Sequence, residues 1–174
     1  MPQLTVQTLI DLLKLEPLEG EGGLYRQSYR STDVLPQNGL PYRYSTDKPA
    51  GTAIYYLLTD DPDSFSAFHR LPTDEIYHFY LGNPVELTLL FPSGEGRTVV
   101  LGQDLLAWQQ VQFTVPAGVW QGSRLRPGGT FALLGCTMAP GFTDNDFELC
   151  RRAALLKEYP QHADRILDLT REQL

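Results

Sequence analysis

The chain is dominated by short runs of β-branched and aromatic residues that glycine and proline interrupt. The sequence contains 15 Gly and 13 Pro among 174 residues. Because turn-forming residues separate these runs, the pattern is typical of an all-β sandwich or barrel. The predicted strands are Leu24–Ser31, Thr52–Leu58, Phe65–Leu71, Ile76–Leu81, Val85–Phe91, Arg97–Leu101, Val111–Val115 and Phe131–Met138.

Helical patterns are confined to the two ends of the chain. Thr5 is a suitable N-cap for an amphipathic helix that ends near Lys14. Near the other end, Asp144 or Asn145 can cap a helix over 146–158, and a second short helix follows from 160. The sequence shows no internal repeat or linker, so we expect one domain over residues 1–174.

Charge and hydropathy exclude two classes of partner. With 14 Lys and Arg against 21 Asp and Glu, the formal net charge is −7, which argues against general binding to nucleic acid. No run approaches the roughly 20 apolar residues that span a bilayer, and the start of the chain lacks the basic region of a secretion signal. We therefore expect a cytoplasmic protein with no membrane partner. Cys136 and Cys150 lack a CxxC neighbour and are expected to be reduced, buried thiols.

Residues 68–82 combine ionisable and apolar side chains in strand-like sequence. Two of the three histidines, His69 and His78, lie here with Asp74 and Glu75. Ionisable groups among apolar neighbours are costly unless they are paired, ligated or used, so we expect this stretch to contain the chemistry.

Strand alternation limits which of these groups can meet. On regular strands, His69 lies on the face opposite to Ser66, and Glu75 on the face opposite to His78. If His69 faces a cavity, only one of Glu75 and His78 joins it unless a bulge intervenes. Structural roles are the alternative: a core His69 bonded to a carbonyl or to Asp74, a His78 paired across the outer face, and a Glu75 in a solvent-exposed turn.

Two stretches together resemble the cupin superfamily, whose first motif is G-x5-H-x-H-x3,4-E-x6-G and whose second is G-x5-P-x-G-x2-H-x3-N. His69, Glu75 and Gly82 match the first motif, and Pro116 and Gly118 match the second. The resemblance implies a double-stranded β-helix, or jelly-roll, cupin barrel with a short N-terminal helix and C-terminal helices.

The chain departs from the cupin pattern at two metal-ligand positions. Leu71 replaces the second histidine of the first motif, and Gln121 replaces the histidine of the second. Because His69 and Glu75 alone are too few strong ligands for tight metal binding, we expect no metal and no other cofactor. A weak divalent-metal site formed by His69, Glu75 and Gln121 is the less favoured alternative.

The chain most closely resembles the fifth cupin group, a family of largely uncharacterised proteins with similarity to nucleotide-sugar epimerases. The resemblance implies a homodimer, for which the exposed edge of the predicted strand Leu24–Ser31 is the candidate contact. The matching stretches, which cover nearly the whole chain, are 21–31, 52–58, 68–79, 115–121 and 135–149.

Two functional hypotheses follow for a cavity of this kind. The first is a metal-independent sugar or nucleotide-sugar epimerase or isomerase, with His69 as base, Glu75 orienting it or acting as acid, and His78 competing for the role of base. The second is a non-catalytic module that binds the same small molecule. Tyrosine donors, an arginine for a phosphate or carboxylate, a stacking tryptophan and a polar amide complete the predicted ligand-binding set. These residues are Tyr25, Arg26, Tyr56, Tyr77, Trp120 and Gln121.

Overall fold

The computed structural model describes residues 4–172, which form thirteen strands, three α-helices and four short 3-10 turns. The helices are α1 (Val6–Leu13), α2 (Arg152–Glu158) and α3 (Ala163–Asp168). The strands are β1 (Glu16–Pro17), β2 (Leu24–Arg30), β3 (Val34–Leu35), β4 (Lys48–Pro49), β5 (Thr52–Thr59), β6 (Phe65–Arg70), β7 (Glu75–Gly82), β8 (Val85–Leu90), β9 (Gly96–Leu101), β10 (Gln112–Val115), β11 (Trp120–Leu125), β12 (Phe131–Met138) and β13 (Glu148–Leu149).

Two antiparallel sheets face each other in a jelly-roll arrangement. The first has the strand order β1-β2-β5-β12-β7-β10, and the second has the order β13-β6-β11-β8-β9. Within residues 4–172 no ladder joins the two sheets, so the fold is an open jelly roll rather than a fully closed barrel. β3 and β4 form a separate two-stranded pair.

Apolar side chains fill three layers. The main core lies between the sheets and includes Tyr77 and Phe79 of β7 and Leu87 of β8. A second cluster packs the outer face of the five-stranded sheet against α2 and α3, and a third packs α1 against the outer face of β5 and β12. Burial of this apolar surface is the main stabilising contribution, and it leaves one end of the space between the sheets for polar groups.

Most predicted elements are confirmed. Thr5 caps α1, since its side chain accepts a hydrogen bond from the backbone of Thr8. All eight predicted strands are present with small shifts at their ends. The sequence pattern did not predict β11, whose central residues 121–124 are polar or small, or the two-residue strands β1, β3, β4 and β13. No helix within residues 4–172 has both the length and the apolar character required to cross a membrane.

The helix predicted over 146–158 is wrong in its first part. Thr143, not Asp144 or Asn145, forms a capping box with Asp146, but this cap closes only a single 3-10 turn over Asp144–Asp146. β13 then pairs with β6, and α2 begins at Arg152. The pairing with β6 uses backbone groups that a continuous helix would need for its own hydrogen bonds.

Candidate active site

A cavity of about 690 Å³ opens between the inner face of the six-stranded sheet and His69 of β6. Its volume is within the usual range for small-molecule sites. Polar groups lie at the floor and the mouth, and apolar side chains form much of the wall. The lining residues are Leu18, Glu19, Glu21, Tyr25, Gln27, Arg30, Thr52, Ile54, His69, Leu71, Glu75, Cys136, Met138, Phe142, Thr143, Asp144 and Phe147.

A bulge in β6 sets the floor of the cavity. Gln121 pairs with His69 and Ser123 pairs with Ser66, so two steps along β11 match three steps along β6. The extra residue reverses the strand alternation and places Ser66 and His69 on the same face. The prediction that Ser66 lies on the opposite face is therefore wrong.

His69 is buried with its two ring nitrogens in different roles. Nδ1 lies 2.9 Å from the carbonyl oxygen of Ala67. Because a carbonyl oxygen can only accept, Nδ1 carries a hydrogen and Nε2 is the atom available for chemistry. Nε2 lies 4.0 Å from Oε2 of Glu21 and 4.0 Å from Oε2 of Glu75, and the ring of Phe147 stacks on the imidazole at 5.3 Å. The predicted alternative of a histidine bonded to a carbonyl is thus true of one nitrogen only.

The two carboxylates control the charge of the histidine. Burial alone would lower the pKa of His69, but the negative charges of Glu21 and Glu75, with the Ala67 carbonyl, outweigh it and raise the pKa from 6.5 to about 9. His69 is therefore an imidazolium at neutral pH. Burial raises the pKa of Glu21, an effect that the nearby His69 charge opposes and Glu75 reinforces.

Glu21 reaches the site because the loop before β2 docks on β6. The side chain of Ser66 donates a hydrogen bond of 2.7 Å to Oε1 of Glu21, and the backbone of Ala67 donates to the Glu21 carbonyl. The next residue, Gly22, has a φ of 105°, and a Cβ there would lie 2.3 Å from the Phe65 carbonyl oxygen. Only glycine allows this close approach of the two backbones.

Glu75 is held by Gln121. The side-chain amide of Gln121 donates a hydrogen bond of 2.7 Å to Oε2 of Glu75, and both residues are buried. The Oε1 atom of Gln121 has no hydrogen-bond partner among residues 4–172. A buried amide donor fixes the orientation of the carboxylate to which it is bonded. Gln121 therefore positions Glu75 from behind the cavity lining.

His78 does not join this group. It lies on the opposite face of β7 from Glu75, where Nε2 is 2.9 Å from Thr137 Oγ1 and Nδ1 is 3.1 Å from the side-chain amide of Gln112. The ring stacks against Tyr80. Strand alternation predicted that only one of Glu75 and His78 could lie beside His69, and the structure places Glu75 there.

Of the three tyrosines predicted as donors, Tyr25 alone lines the cavity. Tyr56 is buried and donates its hydroxyl hydrogen to the carbonyl of Gly22 at 2.9 Å, while Tyr77 is buried behind the floor. Burial, together with the nearby carboxylates Glu21 and Glu75, raises the pKa of both phenols well above 10. Tyr56 and Tyr77 are therefore neutral hydroxyl groups that support the floor.

Arg26 and Trp120 are also placed outside the cavity. Arg26 is exposed on the outer face of β2 and donates to the carbonyl of Leu13 at 3.1 Å. Trp120 packs in the cluster beneath α2 and α3, with the guanidinium of Arg70 4.5 Å from the ring centroid. Strand alternation explains both positions, since their neighbours Tyr25 and Gln121 point inward.

Sequence reasoning missed three parts of the site: Glu21, Arg30 and the segment 142–147 at the cavity mouth. Glu21 carried a weak signal, as an acidic residue beside two glycines directly before a strand. Arg30 had no signal in the sequence, because its inward position depends on a bulge between Gln27 and Tyr29.

The cupin motifs that this sequence resembles often hold a metal, but these side chains do not fit one. Within residues 4–172 there is no group of three or more His, Cys, Asp or Glu suited to hold an ion. Leu71 supplies no metal-binding atom to the cavity, and Gln121 turns its amide hydrogens toward Glu75. Because both positions lack a strong ligand, the weak metal site of His69, Glu75 and Gln121 has no support in this geometry.

Comparisons with known proteins agree with this architecture. A family model described as "Cupin superfamily (DUF985)" matches residues 7–150. An uncharacterized protein of Saccharomyces cerevisiae is 30% identical over 146 residues, which are 74% of this chain and 65% of the yeast protein. The match thus spans just under two thirds of that relative's length.

Solved structures show the same fold. A protein of Shewanella oneidensis is 37% identical with a TM-score of 0.87, covering 98% of this chain and 100% of that one. A hypothetical protein from Leishmania major is 31% identical with a TM-score of 0.85, covering 97% and 100%. A cupin 2 domain-containing protein from Halorhodospira halophila has 10% identity and a TM-score of 0.54, covering 90% of each chain, and shares the fold alone.

Proposed function

The chain belongs to the cupin superfamily, in the family described as DUF985, and we propose that it is a metal-independent isomerase or epimerase acting on a small hydroxycarbonyl compound such as a sugar. The observation that carries the proposal is the placement of His69 Nε2 at 4.0 Å from a carboxylate oxygen of both Glu21 and Glu75 on the cavity floor. Both separations are too long for direct hydrogen bonds. The Nε2 hydrogen and the carboxylate oxygens therefore remain able to bond to a ligand.

The charges assign roles that differ from the sequence hypothesis. A histidine whose pKa is about 9 is a proton donor at neutral pH, not a base. Burial raises the pKa of Glu21 above its ordinary value, which makes its carboxylate a stronger base than an exposed one. Glu21 becomes the base, His69 the acid, and Glu75 the group that keeps His69 charged and oriented.

The reaction is a proton transfer at carbon. Glu21 removes a hydrogen from the carbon next to a carbonyl, and the electrons of the C–H bond form a C=C bond. The carbonyl electrons move to oxygen, where the Nε2–H of His69 stabilises or protonates the developing enolate. For epimerisation, water delivers a proton to the opposite face of the same carbon, Glu21 releases its proton to solvent, and any proton that His69 gave to the oxygen returns to His69. For isomerisation, Glu21 returns its proton to the former carbonyl carbon, whose oxygen keeps the proton from His69, while the hydroxyl proton of the first carbon passes to His69 and leaves a new carbonyl there.

Solvent exchange tests this proposal directly. The protein is incubated in D₂O with a panel of aldoses, ketoses and their phosphates, and incorporation of deuterium next to the carbonyl is followed by NMR. Glu21→Gln and His69→Asn are expected to abolish exchange, whereas His78→Asn, on the outer face, is expected to retain it. Exchange that survives in Glu21→Gln would exclude Glu21 as the base.

A non-catalytic binding module is the second candidate. The observation in its favour is the locked state of His69, whose Nδ1 is bonded to Ala67 and whose charge is balanced by two carboxylates. Such a group can serve as a permanent hydrogen-bond donor to a ligand. Saturable ligand binding without solvent exchange for any compound of the panel would favour this function.

A further inference from the structure

Arg30 is brought into the cavity by a bulge in β2. Tyr25 pairs with Tyr56 and Gln27 with Ile54, so the inward face of β2 begins with Tyr25 and Gln27. The register shift between Gln27 and Tyr29 then pairs Arg30 with Thr52, on the same inward face. In a regular strand Tyr29 would point inward instead. Bulges that redirect a side chain are common beside binding sites.

The guanidinium of Arg30 is positioned but not neutralised. One nitrogen, Nη1, donates a hydrogen bond of 3.0 Å to the carbonyl of Phe142, which also lines the cavity. Among residues 4–172 no carboxylate forms an ion pair with Arg30. Its remaining N–H donors have the fork geometry that binds a carboxylate or a phosphate through two parallel hydrogen bonds.

The charges around the cavity limit how much anionic charge a ligand can carry. The acidic lining residues are Glu19, Glu21, Glu75 and Asp144, and the basic ones are Arg30 and His69. His69 is already balanced by two carboxylates on the floor, so an anionic group at the floor would be repelled. Arg30 is therefore the cation that can receive a single anionic group, and it lies at the mouth.

The distance between Arg30 at the cavity mouth and Glu75 at the floor suits a small molecule. Arg30 pairs with Thr52, Thr52 with Met138, and Met138 with Glu75. Three strand spacings of about 4.8 Å place the backbone of Arg30 roughly 14 Å from that of Glu75. The long arginine side chain covers part of this span. The space that remains has the length of a compound of a few carbons with one anionic end.

We propose that Arg30 determines substrate specificity by binding one anionic group, a carboxylate or a phosphate monoester, at the cavity mouth while the hydroxycarbonyl end of the same molecule reaches His69 and Glu21. The ligand class is thus a small hydroxycarbonyl compound with a single anionic group rather than a nucleotide sugar, whose diphosphate would bring two adjacent phosphate groups to one arginine. The assignment of the hydroxycarbonyl end rests on the proposed function.

Binding can be measured through the imidazole signals of the histidines, of which the chain has three. Carbon-13-labelled protein is titrated with dihydroxyacetone phosphate and with glucuronate, and with their uncharged counterparts dihydroxyacetone and glucose. UDP-glucose is the fifth probe. The variants are Arg30→Gln and its matched control Arg26→Gln, which removes an arginine four positions earlier on the outer face of the same strand.

Saturable shifts of the His69 signal are expected with at least one of the two anionic probes, dihydroxyacetone phosphate and glucuronate, in both wild type and Arg26→Gln. Arg30→Gln should weaken that binding at least tenfold, and the uncharged counterparts and UDP-glucose should bind at least tenfold more weakly than the anionic probe that binds. A stronger response to the phosphate or to the carboxylate identifies which anionic group is recognised.

Four results would each overturn the inference. They are equal affinity for the charged and uncharged members of a pair, unchanged affinity in Arg30→Gln, no binding of dihydroxyacetone phosphate or glucuronate, and tighter binding of UDP-glucose than of either of these two anions. Because these readouts need no turnover, Arg30-dependent binding without deuterium exchange would refute the proposed enzyme activity and leave the assignment of Arg30 intact.

Discussion

The Oε2 atom of Glu21 lies 4.0 Å from Nε2 of His69, although one residue belongs to a loop before β2 and the other to β6 of the opposite sheet. Glu75 contributes a second carboxylate oxygen at the same distance. This relationship makes His69 a charged proton donor rather than the neutral base that a lone histidine would be.

Replacing Glu21 with Gln is expected to lower the pKa of His69 from about 9 toward its ordinary value of 6.5, because one of the two stabilising negative charges is lost. The titration of the His69 imidazole signal by NMR measures this change. Glu16→Gln, an exposed change in β1 that lies outside the cavity lining, is the control and should leave the titration unmoved. A His69 pKa that is the same in Glu21→Gln and wild type would show that the two groups are not coupled.

Stability should fall as pH rises from 6.5 to 9. The pKa of His69 is raised in the folded state, so its stabilising contribution is fully present below 6.5 and is lost as pH rises through about 9. Each unit of raised pKa corresponds to about 1.4 kcal/mol, so the loss is on the order of a few kcal/mol. Urea unfolding across this range measures it. His69→Asn should flatten the dependence and His78→Asn should not; a flat wild-type curve would contradict the raised pKa.

Gln121→Leu is expected to destabilise the fold by roughly 1–3 kcal/mol, because it leaves a buried carboxylate oxygen of Glu75 without its donor. Denaturant unfolding measures the change. Gln112→Leu is the comparison, since its amide contacts His78 on an exposed face and its loss should cost no more than about 0.5 kcal/mol. Equal losses of unfolding free energy in the two variants would mean that the hydrogen bond from Gln121 to Glu75 stabilises the fold no more than an exposed one does.

Lys48→Met is expected to cost about 3–5 kcal/mol, since it leaves the buried carboxylate of Asp146 without its cation. Lys48 also donates to Thr143, so the loss should loosen the segment at the cavity mouth. Unfolding free energies and amide hydrogen exchange of 142–147 measure both effects. Arg126→Met, which breaks an exposed pair with Glu86, should cost at most about 1 kcal/mol. If amide hydrogens of 142–147 exchanged at wild-type rates in Lys48→Met, the pair of Lys48 with Asp146 would not stabilise this segment.

The expected homodimer remains a prediction, which native mass spectrometry tests. Beyond the two-residue β1, the outer edge of β2 carries no strand within residues 4–172, and Tyr29 is 56% exposed there. A free edge of this kind favours pairing with a second copy. Tyr29→Lys should weaken the dimer, whereas Leu106→Lys, in an exposed loop between β9 and β10, should not. The reverse result would place the interface at the loop, and a wild-type monomer would refute the dimer.

Much of the strand pattern and two of the three ionisable residues on the cavity floor could be predicted from the sequence. Alternation of side chains and the positions of Gly and Pro act locally, so they located most strands. The resemblance to cupins picked out His69 and Glu75, and alternation restricted the partners of His69 to Glu75 or His78. The structure selects Glu75 and leaves Gln121 as its hydrogen-bond donor.

By itself, then, the sequence determined the strand-rich fold, its family and the presence of a histidine with a carboxylate on two motif strands. Only the tertiary structure decided that Glu21 completes the group and that Arg30, not Arg26, faces the cavity. The physical reason is that a bulge shifts alternation by one residue, and whether it forms depends on the pairing of distant strands. Loop docking depends likewise on backbone contacts between segments far apart in the chain, which no local pattern encodes.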